Sequence, residues 1–310
     1  MISPELGVGT AQFGALRDAR GRARPGEDEV RQILETAADN GLTLVDTAAR
    51  YGEAERLLGQ CWPFPSPFRV VTKTLRLSEG LDRIEARARR SLERMGLPRG
   101  YALLVDAAED LLHPEGRALW GRLEKLREEG VFQKIGFSAD GSDEPMLLAR
   151  RFRPDMVQLP CSLLDQRAWR SGVLAGLKDL DVEIQLRSVF VQGLLFHTPP
   201  PASGPARPHP APLHSVVGNP LAVGPGGGIG PRLSRIRRHL AEAGADPMLA
   251  ALAFALSRPE ASAVIVGVGS CAELRALVAA SLAPAPSLDW DAMALDGHEL
   301  AAAGLISSAA

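Results

Sequence analysis

The chain is 310 residues long, 45% hydrophobic and 23% charged, with a formal net charge of -2. These values fit one large or two small globular domains and exclude collagen-like repeats, a long coiled coil and wholesale disorder. The balanced charge offers no basic surface to nucleic acid or an anionic membrane, no run of about 18 apolar residues could span a bilayer, and MISPELGVGT carries no signal-peptide pattern, so a cytoplasmic protein acting on a small molecule is the expectation.

Taken in chain order, short apolar runs alternate with amphipathic patterns. Strands are expected over 6–10, 43–46, 69–73, 101–106, 134–138, 156–159, 183–188 and 263–268. Helices are expected over 27–40, 53–60, 78–95, 114–129, 141–151, 164–180, 247–257 and 271–280, with Gly41, Gly96 and Gly130 as C-terminal stops. Such alternation implies parallel strands with crossover helices, and eight units in this length point to an α/β fold, a single-domain (β/α)8 TIM barrel over 1–310. An open doubly wound sheet would want G-x-G-x-x-G after the first strand, which Val8-Gly9-Thr10-Ala11-Gln12-Phe13-Gly14 does not spell. Ten prolines and seven glycines crowd into 197–231. That segment reads as a Pro/Gly-rich loop insertion after the seventh strand, placed to act as a lid or clamp.

A barrel collects its chemistry at the carboxyl ends of its strands. Those ends carry Asp46, Lys73, Asp106, Ser138, Gln158, Arg187-Ser188 and residues 267–270. Asp46-Thr47-Ala48-Ala49-Arg50-Tyr51-Gly52-Glu53 together with Val71-Thr72-Lys73 brings a phenol, an ammonium and a carboxylate to one mouth. A phenol with a pKa of about 10 is a poor acid at neutral pH, but an adjacent ammonium stabilises its phenolate and a carboxylate anchors the ammonium. Such a phenol can protonate a carbonyl oxygen as hydride reaches the carbon.

With these residues in this order the sequence resembles the aldo-keto reductase superfamily, in a bacterial branch. The resemblance runs from GVGTAQFG through DTAARYGEAE, VVTK, LREEGVFQKIGFS, MVQLPCSLLDQR and RSVFVQGLL to VIVGVGS, nearly the whole chain. It implies that Tyr51 is the proton donor, Lys73 the lysine that tunes it and Asp46 the carboxylate that holds the lysine. The fourth catalytic position, a histidine at the end of strand four, is Asp106 here. Ionised, Asp106 disfavours a phenolate; protonated, it could donate to the substrate oxygen. An acidic residue at this place accompanies reduction of a conjugated C=C bond in one steroid-reducing branch. The resemblance therefore implies NAD(P)H-dependent reduction of a carbonyl or a conjugated alkene. A cofactor-binding redox sensor with weak or no reductase activity, and a non-redox lyase or epimerase, are the alternatives.

By the same resemblance Ser138 and Gln158 hold the nicotinamide carboxamide, and Arg187 takes the place of the aromatic residue that stacks on the ring. Ser188, Gln192, Gly193 and Leu194 cross the pyrophosphate; Gly267, Gly269, Ser270 and Arg275 hold the adenosine phosphate end. NADP(H) is expected over NAD(H), although Gly269 replaces the usual basic residue before the serine, and Val278 and Ala279 replace a Glu-Asn pair. No metal is expected: Cys61, Cys161 and Cys271 are far apart, and His197, His209 and His214 lack ligand spacing. Trp62, Phe64 and Phe68 read either as a rim cluster near the mouth that could contact substrate or as packing beneath a Pro-rich turn. The arginines of 83–94 read as a solvated outer helix face.

Overall fold

The apolar runs become eight short strands: β1 (Glu5–Gly9), β2 (Leu44–Asp46), β3 (Arg69–Lys73), β4 (Gly100–Val105), β5 (Phe132–Ser138), β6 (Met156–Pro160), β7 (Glu183–Arg187) and β8 (Ala263–Gly267). Each pairs in parallel with its neighbour in chain order and β8 returns to β1, so the sheet closes into a barrel. This computed structural model describes residues 3–14, 23–140, 143–196 and 229–303. The expected 197–231 insertion lies outside them except for its last three residues, and so do His197, His209 and His214.

The helices are α1 (Ala11–Gly14), α2 (Glu27–Asp39), α3 (Ala54–Cys61), α4 (Leu81–Met95), α5 (Gly116–Glu128), α6 (Pro145–Phe152), α7 (Arg167–Arg170), α8 (Val173–Asp179), α9 (Gly230–Glu242), α10 (Pro247–Leu256), α11 (Cys271–Leu282) and α12 (Gly297–Ala302). The single helix expected over 164–180 is two, because Gly172 sits at φ 76 and breaks the ladder. The helix expected from 78 opens as a 3-10 turn, Leu77–Glu79, before α4 begins. Helix α9 was not foreseen; it starts inside the segment read as loop and buries Leu233, Ile236 and Leu240. Among the described residues no helix is long and apolar enough to cross a membrane, and no cluster of His, Cys, Asp and Glu is placed to hold a metal.

Strands covered on both faces read as continuous apolar runs. Leu44, Val71, Ala102, Leu104, Met156, Ala263 and Ile265 form one cluster, separate from the larger one shared with the helices. Below it, at the strands' N-terminal ends, polar residues close on each other. Arg69 Nη2 donates to both Glu5 oxygens at 2.7 Å, Lys134 pairs with Glu183, and the Tyr101 hydroxyl donates to Glu183 Oε2 at 2.9 Å. The rim reading of Trp62, Phe64 and Phe68 fails, because these residues belong to this end too. Trp62, Phe64 and Phe68 lie on the link from α3 to the start of β3, and helix-to-strand links enter a barrel opposite its site. Trp62 Nε1 donates to Met95 O at 2.9 Å and its ring packs 5.2 Å from Phe68, so the contacts of these two are structural, whereas Phe64 is fully exposed.

Candidate active site

Pairing register brings the strand-end residues to one level: Gly9 lies opposite Asp46 and Gly267, Ser138 opposite Gln158, and Gln158 opposite Gln185. At the centre Lys73 Nζ donates to Asp46 Oδ1 at 2.6 Å, Asp46 Oδ2 at 2.8 Å and Thr47 O at 3.1 Å. Burial opposes the ammonium, but the charge of Asp46, helped by Tyr51 and the Asp46 hydrogen bond, outweighs it and holds Lys73 above the ordinary lysine value. Gln158 Nε2 donates to Asp46 Oδ1 at 2.8 Å. A carboxylate only accepts, so this contact fixes the amide's orientation and leaves Gln158 Oε1 buried without a partner.

Tyr51 follows β2 on a turn that its neighbours clamp from three directions. A Cβ on Gly14 would lie 1.5 Å from Tyr51 O, so α1 presses bare backbone against the turn. Gly52 leaves it with φ 54, a conformation that suits glycine. From α3, buried Glu55 pairs with Arg87 of α4 at 2.6 Å, and Arg87 Nη2 also reaches Ala49 O at 3.3 Å. The phenol ring then meets two cations: Lys73 Nζ is 5.5 Å from its centroid and the Arg50 guanidinium 5.1 Å. Arg50 Nε lies 2.7 Å from Asp106 Oδ2, while Asp106 Oδ1 is buried without a partner.

A cavity of about 760 Å³ opens over this cluster. Of the residues singled out from sequence, Asp46, Tyr51, Lys73, Asp106, Ser138, Gln158, Arg187, Ser188, Gly193 and Gly267 line it. Arg187 is braced by Asp140 Oδ1 at 2.6 Å and Ala139 O at 3.1 Å. The wall after β7 is strained: Ser188 has φ 60 and Val191, a β-branched residue, φ 46. Leu194 is buried and, like Gly269, Ser270 and Arg275, does not line the cavity; Gln192 is in the short turn Val191–Gly193. Arg50, Gln12, Asp140, Phe190, Phe196, Met248 and Glu273 line it without having been foreseen. Arg50 was within reach of sequence reasoning: a carboxylate at a barrel mouth demands a counter-cation, and Arg50 precedes Tyr51.

The α11 end of the cavity is already supplied with anions from the chain itself. Ser270 caps the helix by accepting from Glu273 N at 3.1 Å. Gly269 N–H donates to Glu273 Oε2 at 2.8 Å, and Cys271 N–H to Glu29 Oε1 at 2.6 Å.

The aldo/keto reductase family pattern matches residues 5–294. A D-threo-aldose 1-dehydrogenase of a Pseudomonas species is 31% identical over 237 residues, covering 65% of this chain and 70% of that protein. An aldo-keto reductase of Mycolicibacterium smegmatis is 31% identical over 180 residues, 54% of this chain and 56% of that protein. Among solved structures, the holo form of a Bacillus halodurans aldo-keto reductase superposes with a TM-score of 0.65 at 19% identity, covering 100% of this chain and 94% of that one. An aldose reductase of Giardia lamblia gives 0.65 at 15% identity, with 94% and 91% covered. At these identities the structural likeness shows the barrel fold.

Proposed function

The chain belongs to the aldo/keto reductase family, and we propose that it is a nicotinamide-dependent oxidoreductase that reduces a carbonyl group with Tyr51 as proton donor. One observation carries this: the Tyr51 phenol faces the cavity with the buried Lys73–Asp46 pair beside its ring. The cavity's polar atoms suit the cofactor. Gln158 Oε1 is an orphaned acceptor beside Ser138, matching the donor and acceptor that a carboxamide presents. A bound reduced nicotinamide supplies the hydride. Tyr51 passes its proton to the substrate oxygen; Lys73, held charged by Asp46, stabilises the phenolate that remains.

NADP(H) preference, which the resemblance implies, meets an obstacle at α11. A 2'-phosphate there would face Glu29 and Glu273, which already take the N–H groups of Cys271 and Gly269. A ribose hydroxyl would find the same carboxylates as acceptors, so the reading is NAD(H). The Pseudomonas relative's name puts aldoses on the substrate panel, beside simple aldehydes and conjugated enones. Quenching of the four tryptophans by NADH and by NADPH measures cofactor binding, and loss of nicotinamide absorbance measures turnover. The expected result is tighter binding of NADH, turnover of an aldehyde or aldose, and loss of turnover in Tyr51→Phe with cofactor binding kept. Quenching by neither cofactor, or turnover that survives Tyr51→Phe, overturns the reading.

A further inference from the structure

Tyr51 stands between two ion pairs that differ in what they have left to offer. Lys73 uses all three of its donors within the chain, on Asp46 and Thr47, and its side chain is 2% exposed. It reaches Tyr51 only through its charge. Arg50 carries five donors, contacts Asp106 through Nε, and is 60% exposed at the cavity wall, whereas Asp106 is 8% exposed. As a carboxylate, Asp106 could only accept, and on its own it would repel negative charge growing on a substrate oxygen. The guanidinium beside it reverses that sign. Burial opposes the Arg50 charge, yet Asp106 and Tyr51 raise its pKa overall, which keeps the cation in place.

We propose that Arg50, held by Asp106, is a second catalytic group: it donates to the oxygen that Tyr51 protonates and stabilises the phenolate. This rests on Tyr51 as proton donor. Hydride from the reduced nicotinamide forms the new C–H bond, and the C=O π pair moves to oxygen. That oxygen takes the Tyr51 proton, and water later returns a proton to the phenolate. Arg50 exchanges no proton; it supplies N–H donors and positive charge where charge develops.

The test compares Arg50→Gln, Arg50→Lys and Tyr51→Phe with wild type, using NADH with neutral 4-nitrobenzaldehyde and anionic 4-carboxybenzaldehyde. Arg50→Gln is expected to lower kcat/KM for both aldehydes about 10²–10³-fold, with NADH affinity unchanged and a small fall in Tm as Asp106 loses its cation. Added guanidinium ion should recover part of the loss, and Arg50→Lys should keep part of the rate. A second readout needs no substrate. The chain has two tyrosines, so in a Tyr101→Phe background the ultraviolet phenolate signal belongs to Tyr51. The charged groups around that ring are Asp46, Lys73, Asp106 and Arg50, and Arg50→Gln should move the titration midpoint to higher pH. An unmoved midpoint overturns the inference, alone if wild type turns over neither aldehyde. So does wild-type kcat/KM in Arg50→Gln, a lowered Tm without rescue, or a loss confined to KM of the anionic aldehyde. If Tyr51→Phe abolishes turnover while Arg50→Gln does not, this inference fails alone; if Tyr51→Phe keeps turnover, the parent reading fails.

Discussion

The two tyrosines occupy opposite ends of the barrel in nearly the same electrostatic company. Over the Tyr101 ring, among the N-terminal strand ends, Arg69 lies at 4.8 Å and Lys134 at 5.0 Å; over Tyr51, at the carboxyl ends, Arg50 lies at 5.1 Å and Lys73 at 5.5 Å. The hydroxyls separate them. Tyr101 donates to Glu183 at 2.9 Å and accepts from Lys134 at 3.0 Å, whereas the Tyr51 hydroxyl has no hydrogen-bond partner among the described residues and borders the cavity. The same side chains make a brace where the phenol's proton is already donated to a carboxylate, and a reactive site where it is left open.

The hydroxyls are the first place to break this likeness. Tyr51→Phe should lower kcat about 10²–10⁴-fold with Tm unchanged. Tyr101→Phe should leave kcat alone and cost about 1 kcal/mol in urea unfolding. Equal rates in the two variants would erase the functional difference. The buried ammonium comes next. Lys73→Met strands Asp46 without its cation and should cost about 3–5 kcal/mol, while Lys134→Met, at a half-buried site, should cost clearly less on the same urea curve.

The pH dependence is smaller and tests what the two ends share. At Lys134 burial opposes the charge, and Glu183 and Tyr101 outweigh it; both lysines are thus held above their ordinary value. A folded-state pKa above the unfolded one gives stability that is fully present below about 10.4 and lost as pH climbs through the folded value. Melting temperatures should fall above that pH, and fall less steeply in Lys134→Met; an unchanged alkaline slope would refute the linkage. The outer helix face gives the smallest effect and the opposite sign. Hydrogen bonding from Lys125, against burial and with Arg122 and Arg89, holds Glu85 at about 2. Its contribution is present above the unfolded value and lost as pH falls toward 2. Glu85→Gln should flatten the acid limb of the melting curve without touching turnover.

The barrel was legible because the strands are short, mostly apolar runs of three to seven residues between helical patterns, and the site because Asp46, Lys73, Ser138 and Gln158 stand at or near their carboxyl ends. Contacts far apart in sequence were less so. Nothing local announces that Cys271 satisfies its N–H group with Glu29, 242 residues away. Helix α9 has its apolar residues at 233, 236 and 240, a readable helical spacing, but its proline-rich approach masked it. Of the two readings of Trp62 and Phe68, packing holds and the rim does not, because both residues lie before a strand and not after one.

The contact between Gly14 and the Tyr51 carbonyl carries a consequence for saturation mutagenesis. Any side chain at position 14 must push the tyrosine's turn away from α1 or tear α1 from the barrel. A screen scored on turnover would therefore rank Gly14→Ala beside Tyr51→Phe, although residue 14 supplies no group to the reaction. A screen scored on expression would separate them, sparing Tyr51→Phe. Position 14 would then appear as a silent partner of the tyrosine, intolerant for reasons of space alone.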